Sequence, residues 1–159
     1  MIRPGRESDL AQLMALSVKL RDESVTMGDI VIDEDKLTAV YKRAFDPADD
    51  RVCLFVYERD GNIAGGMLGF IAEYYFSRER FATDLYLYVA PDQRRGLMSG
   101  VVARRLFERY RDWTAARGVR EVRVNVSTGV ALESSHRFFM SLGLTHIGGH
   151  YSLPLPRKG

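Results

Sequence analysis

The residues best suited to chemistry lie in one stretch: Val89, Ala90, Pro91, Asp92, Gln93, Arg94, Arg95, Gly96, Leu97, Met98 and Ser99. It reads as a strand passing through a basic, glycine-containing turn into a helix. The first N–H groups of a helix have no partner inside it, and the helix dipole adds partial positive charge, so such a start attracts anions. Gly96 lets a phosphate approach the backbone closely. Arg94 and Arg95 offer point contacts or bidentate clamps at the rim. The expectation is a pyrophosphate seated on the N–H groups of residues 94–99; without a ligand the same residues make a solvated turn with two exposed arginines. The turn has neither the lysine and spacing of a P-loop nor Gly-x-Gly-x-x-Gly, so both common nucleotide fingerprints are absent.

Two other features read as ordinary structure. Cys53, the single cysteine, sits in the apolar run Val52-Cys53-Leu54-Phe55-Val56 and reads as a buried hydrophobe. His146 and His150 are four apart, but in a strand pair split by Gly148-Gly149 rather than on a helix, so no metal is expected.

The elements that must hold the turn follow from periodicity. Ile2-Arg3-Pro4 reads as a short strand, and Ser8 as the cap of an amphipathic helix from Asp9 to about Arg21. Asp33 caps a second helix with Leu37, Val40, Tyr41 and Ala44 on one face. Arg51–Arg59 and Ile63–Phe76 read as strands joined by a turn at Asp60-Gly61-Asn62. Gly65, Gly66 and Gly69 in the second of these strands indicate a bulge or a close approach by another backbone. Phe81–Val89 is the next strand. Strict alternation puts Leu85, Leu87 and Val89 on one face and Asp84, Tyr86 and Tyr88 on the other, unless a bulge shifts the register. A long helix runs from Gly96 to about Arg117, with Met98, Val102, Leu106, Tyr110 and Trp113 as its apolar stripe and Gly118 as its stop. A strand over Val119–Val126, a helix over Leu132–Leu142 and a last hairpin within Leu144–Leu155 complete the chain. The class is α/β (α+β): a mixed, mostly antiparallel sheet flanked by helices, in a single domain over residues 1–159.

Composition sets the frame. The 159 residues are 46% hydrophobic and 28% charged, which excludes disordered and low-complexity classes. Twenty-three basic against 21 acidic residues is too even for a nucleic-acid tail or a polybasic membrane anchor. With no long apolar run, no signal peptide, no membrane association and a cytoplasmic location are expected.

The opening Ile2-Arg3-Pro4 through Asp9-Leu10, the strand–turn–helix around Gln93-Arg94-Arg95-Gly96, and Phe138-Phe139-Met140-Ser141-Leu142-Gly143-Leu144 occur in the order of the GNAT superfamily of acyl-CoA-dependent N-acyltransferases. The chain resembles that family over essentially its whole length, most strongly over residues 84–144. Asn125-Val126-Ser127-Thr128-Gly129-Val130 followed by Glu133 is similar to bacterial and phage-type members of undefined substrate. Met98 departs from the family's turn pattern, standing where a small residue is usual.

The resemblance implies acetyl-CoA as cosubstrate and no metal. It implies a pantetheine arm lying between two parallel strands, Leu85–Val89 and Arg123–Ser127, splayed apart past Val89. The arm would pair with the backbone at Leu87 and Val89, and an N–H near Tyr88 or Val89 would hold the developing oxyanion. The cofactor-binding set so implied is Leu87, Tyr88, Val89, Gln93, Arg94, Arg95, Gly96, Leu97, Met98, Ser99, Asn125 and Ser135. A neutral primary amine, on a small molecule or a peptide, would attack the thioester directly. Asp84 is the first candidate base and Glu73 the second. Phe139 stands where the family often has a thiolate-protonating tyrosine; Tyr86, Tyr88, Ser135 or water would have to substitute. Phe139 and Met98 also suit a non-catalytic acyl-CoA binding or sensing module. Tyr74, Tyr75 and Phe76 suit either an acceptor cleft or the contact of a homodimer.

Overall fold

Helices on both faces of the sheet set the frame. In the computed structural model the described residues are 1–93 and 98–156, without the side chains of Met98 and Ser99. The strands are β1 (Ile2–Pro4), β2 (Val52–Arg59), β3 (Asn62–Glu73), β4 (Arg80–Val89) and β5 (Glu121–Arg123). The helices are α1 (Leu10–Glu23), α2 (Glu34–Phe45), α3 (Met98–Ala115) and α4 (Leu132–Ser141). The sheet order is β1-β2-β3-β4-β5, antiparallel except for the parallel pair β4–β5. No helix among the described residues is long and apolar enough to cross a membrane.

Each face carries its own core. Leu13, Leu16 and Tyr41 from α1 and α2 pack with Leu54, Val56, Leu68 and Tyr88. On the other face, Leu106 and Tyr110 of α3 pack with Phe55, Met67, Ile71 and Val89. Burying a large apolar side chain contributes roughly 1.5–3 kcal/mol, so these two layers hold the sheet between the helices.

Several local expectations meet the structure. Asp33 accepts the Lys36 N–H at 3.0 Å and caps α2, and the turn after β2 places Asp60 and Gly61 in the left-handed region, at φ +50° and +77°. The start of α1 differs. A 3-10 turn over Glu7–Asp9 leads into it, and Asp9, not Ser8, accepts the Arg6 N–H at 3.0 Å. Arg3 donates to both Asp9 carboxylate oxygens at 2.7 and 2.9 Å and to Glu58 at 2.6 Å, tying β1, α1 and β2 together.

The close approach signalled by the β3 glycines is to backbone at Gly65, where a Cβ would meet the Tyr88 carbonyl oxygen at 2.8 Å, and to tyrosine rings at the other two. A Cβ on Gly69 would collide with the ring of Tyr110, and one on Gly66 would press on the ring of Tyr86 at 3.3 Å.

Three expectations are corrected. The fifth strand is three residues long, Glu121–Arg123, rather than running to Val126. The β4–β5 ladder ends at Thr83–Arg123, so the strands part before Leu85 and not past Val89. Residues 144–156 form no hairpin: they contain neither strand nor helix, and Tyr151, Leu153 and Leu155 are exposed.

Candidate active site

The parting of β4 from β5 opens a cleft of about 360 Å³. Its origin is local. Leu68 pairs with Tyr86 and Gly69 with Asp84, so Leu85 is an extra residue bulged out of β4. A bulge bends its strand and shifts the alternation of everything after it. Leu87 and Val89 therefore pack with Ala82 on the α3 face, whereas Tyr86 and Tyr88 pack toward α1 and α2. The uniform alternation of Asp84 with Tyr86 and Tyr88 is thus broken at Leu85. Leu85 itself is left 53% exposed and lines the cleft.

Asp84 holds the parted strands at a fixed spacing. Its Oδ1 accepts the Asn125 N–H at 2.8 Å and the Asn125 Nδ2 at 3.2 Å. Asn125 also donates to Thr83 Oγ1 at 2.8 Å, and its Oδ1 lies 3.1 Å from His150 Nε2. A side chain thus replaces the backbone ladder where the ladder stops. Burial pushes the Asp84 carboxyl up to about 6, against the opposing pull of the Asn125 hydrogen bonds.

Past this latch, β4 has no strand alongside it on the cleft side among the described residues. The Ala90 N–H donates to Ala64 on β3 at 2.9 Å. By strand alternation, the peptide groups of Leu87 and Val89 face the other way, toward the cleft. Small residues of α3, Gly100 and Ala103, and Ser135, Phe138 and Phe139 of α4 close that side. Leu20, Glu23 and Met27, from α1 and the loop after it, close the opposite side. The cleft is therefore lined from both faces of the sheet.

The loop after α1 is fastened to the far wall. The Val25 N–H donates to the Thr128 carbonyl at 2.9 Å, and the Ser24 and Thr26 hydroxyls donate to the carbonyls of Thr128 and Ser127 at 3.2 and 3.0 Å. The wall then turns sharply into α4 through Gly129 at φ +72° and Ala131 at φ +48°.

The expected site residues divide clearly. Asp84, Tyr86, Leu87, Tyr88, Val89, Asn125 and Ser135 all line the cleft. Glu73 does not: it pairs across the hairpin with Arg80, forms an ion pair with Arg51 at 3.1 Å and is absent from the cleft lining. Gln93 is also absent from that lining. Its N–H donates to Ala90 O, its Oε1 accepts from Arg59 at 2.7 Å and its Nε2 donates to Asp92 at 2.9 Å. Ser134, beside Ser135, donates its hydroxyl to Ala131 O at 2.9 Å, an ordinary helix-start bond. Arg94, Arg95, Gly96 and Leu97, and the side chains of Met98 and Ser99, lie outside the described residues.

Tyr86 belongs to a chain of hydroxyls. Its OH lies 3.1 Å from the Tyr41 OH, which lies 2.7 Å from Ser17 Oγ. Burial raises the Tyr86 phenol well above its ordinary value, so it stays protonated at any ordinary pH. Glu23 is the residue that the sequence reading missed. It accepts a hydrogen bond from the Tyr88 hydroxyl inside the cleft. Leu13, Leu16, Leu20 and Glu23 follow one helical stripe at spacings of three and four. A charge at the end of an apolar stripe was the available signal.

The lining brings together a strand edge, a raised carboxyl, phenols and a second carboxylate. Among the described residues no group of three or more His, Cys, Asp and Glu is placed to hold a metal. Cys53 is buried away from the cleft, and burial pushes its thiol up to about 12, so it is no nucleophile.

No protein-family model matches the sequence, and no curated protein matches it by sequence. Solved structures do match by shape. The aminoglycoside acetyltransferase AAC(6')-Iy, bound to a CoA-linked acetylneamine bisubstrate analogue, superposes with a TM-score of 0.72 at 18% identity, over 99% of this chain and 97% of that one. An aminoglycoside acetyltransferase from an uncultured soil metagenomic sample, in complex with sisomicin, gives 0.69 at 18% identity, over 98% and 96%. Ribosomal-protein-alanine N-acetyltransferase from Brucella melitensis biovar Abortus 2308 gives 0.70 at 15%, over 98% of each chain. At such identities the likeness is one of architecture: five strands, a parallel β4–β5 pair that parts, and four flanking helices give this chain the GNAT fold.

Proposed function

We propose that the protein is an N-acetyltransferase that moves an acetyl group from acetyl-CoA to a primary amine, with both reactants bound at once. The observation that carries this reading is the cleft between β4 and β5, whose strand edge at Leu87–Val89 faces inward with no strand paired to it among the described residues. A polar backbone edge of this kind pairs readily with an extended, amide-bearing chain. The residues present fit such a chain: the cleft volume is in the range of small-ligand sites, and Gly100 and Ala103 leave room on the α3 wall.

When bound, acetyl-CoA supplies an acyl carbon activated by its thioester. The strand edge at Leu87–Val89 would orient the amide-bearing arm, and a backbone N–H near Tyr88 or Val89 would stabilise the negative charge developing on the acyl oxygen. Ser135 lines the same cleft from α4. The amine arrives as an ammonium ion. Asp84, held partly desolvated, draws off one proton directly or through water, and the neutral nitrogen forms the new C–N bond as the C–S bond breaks. The nitrogen's second proton goes to the departing sulfur. A phenol or water must deliver it, because Phe139 has no proton to give. The net balance is one ammonium and one thioester in, one amide, one thiol and one proton out. Holding both reactants in one cleft contributes much of the acceleration.

Two measurements test this. Saturating CoA should raise the melting temperature, since a ligand that binds only the folded state stabilises it by RT ln(1 + [L]/Kd). Acetyl-CoA with a panel of primary amines should release free thiol. Stabilisation without release from any amine supports instead an acyl-CoA sensing module, the reading that Phe139 favours. No stabilisation and no release defeats both.

A further inference from the structure

Residues 144–156 have neither strand nor helix, yet one of their side chains reaches back to the latch between β4 and β5. The ring of His146 meets that of His136 on α4 edge-on, with centroids 5.4 Å apart, and further along His150 Nε2 lies 3.1 Å from Asn125 Oδ1. The hydrogen bonds assign the roles of both groups. An ionised carboxylate only accepts, so the Asn125 atom 3.2 Å from Asp84 Oδ1 is the amide nitrogen, and the atom left for His150 is the carbonyl oxygen. Facing an acceptor, His150 Nε2 carries a hydrogen and donates it.

That bond bears on the proton of Asp84. An untethered carboxamide presents its N–H to a carboxylate but can turn over and present its oxygen to a carboxylic acid. Such a turn would give protonated Asp84 an acceptor and favour the acid over the base. With its oxygen held by His150, Asn125 presents N–H in either state, and only the ionised carboxylate gains from that. The charge of His150 acts on Asp84 in the same sense. Of the other titratable groups, Cys53 and Tyr110 stand on the α3 face: Gly69, opposite Asp84, also pairs with Cys53, and the Tyr110 ring lies where a Cβ of Gly69 would point. Burial raises that thiol and that phenol, and the Tyr86 phenol as well, so all three stay protonated through neutral pH. Glu23 lines the cleft from α1, bonded to Tyr88. We infer that His150 is a positioning residue: it locks the Asn125 amide in the orientation that keeps Asp84 in its ionised, proton-accepting form. The use of that form as the base rests on the acetyl-transfer reading.

The experiment follows the Asp84 carboxyl by NMR in the full chain carrying isotope-labelled aspartate, with Asp84→Asn identifying its signal. His150→Ala and His150→Phe, which lack the donor, should each raise the titration midpoint by about half a pH unit to one, the worth of one hydrogen bond. His150→Gln keeps an N–H on a side chain of similar reach and should restore most of the midpoint. In an Asn125→Ala background the His150 substitutions should add no further rise. With acetyl-CoA and an amine that is turned over, the acidic limb of kcat/KM should move with the midpoint while the KM for acetyl-CoA stays unchanged. An unmoved midpoint in His150→Ala and His150→Phe would overturn the inference. A midpoint in His150→Gln as high as in His150→Ala would also overturn it, since bulk and not the donor would then matter. So would a rise that persists in full in the Asn125→Ala background, since charge and not orientation would then be the cause. The expected shifts in a protein that releases thiol from no amine would support the hold on Asp84 and overturn acetyl transfer alone.

Discussion

Asp9 and Asp84 are both buried aspartates, 5% and 7% exposed, on opposite sides of the sheet. Their neighbours push them in opposite directions. Asp9 faces the Arg3 guanidinium in a two-pronged bond and accepts the Arg6 N–H, and its carboxyl is held below the usual range chiefly by Arg3. Asp84 has neutral donors from Asn125 and, among the described residues, no guanidinium bonded to it, and burial raises it to about 6. A buried carboxylate given a cation is fixed in charge and serves as an anchor. One given only amides keeps its proton within reach of ordinary pH, which suits a group that exchanges protons. The same residue type thus marks both a fixed anchor and the candidate base of the proposed reaction.

The comparison is broken most forcefully at Asp9. Asp9→Ala leaves the largely buried Arg3 with Glu58 alone, and breaking a buried pair typically costs about 3–5 kcal/mol. Chemical denaturation should read that loss, while turnover per folded molecule stays unchanged. Because the Asp9 carboxyl is depressed, its stabilising contribution is complete above about pH 4 and disappears as the pH falls below that.

Asp84 should behave in the opposite sense. Its folded carboxyl holds a proton more tightly than the unfolded one, so its contribution is complete below about pH 4 and is lost as the pH rises through about 6. The rise from 3.8 to about 6 corresponds to about 3 kcal/mol across that window. Asp84→Asn should remove this slope, leave the protein at least as stable at pH 8, and lower turnover about 100-fold, the lower end of general-base contributions. A variant that is both less stable at pH 8 and undiminished in turnover would mean that Asp84 is only a latch.

Smaller effects sharpen the boundary between the two regions. Gly69→Ala drives a methyl group into the Tyr110 ring and should cost about 1–3 kcal/mol in denaturation, as overpacking does. Glu73, paired with Arg51 at the surface, should matter least. Glu73→Gln should change stability by less than about 1 kcal/mol and leave turnover intact.

Much of this architecture is legible in the residues. The hairpin at Asp60-Gly61, the cap at Asp33, the stop at Gly118 and the α3 stripe through Leu106 and Tyr110 are local signals, and the fold obeys them. The glycines of β3 were readable as a close approach, though not as a berth for tyrosine rings. What escaped depends on tertiary structure. Nothing near Leu85 marks it as the extra residue in β4, because the bulge is fixed by pairing with Leu68 and Gly69 on another strand. That one residue sets which face Asp84 shares, and hence its neighbours. The length of β5 escaped for a similar reason. Val124 and Val126 have strand character, but Asp84 captures the Asn125 N–H and so ends the ladder. Gln93 illustrates the reverse: its place in the motif was readable, yet Arg59 and Asp92 draw its side chain elsewhere.

The lining of the cleft from both faces has a kinetic corollary. The cleft has two differently built walls, one of α3 and α4, the other of α1 and its fastened loop. Two reactants seated one against each wall need not queue for the same place. Initial-rate plots at varied concentrations of both substrates should then intersect, the pattern of sequential addition in which neither reactant is required to leave before the other arrives.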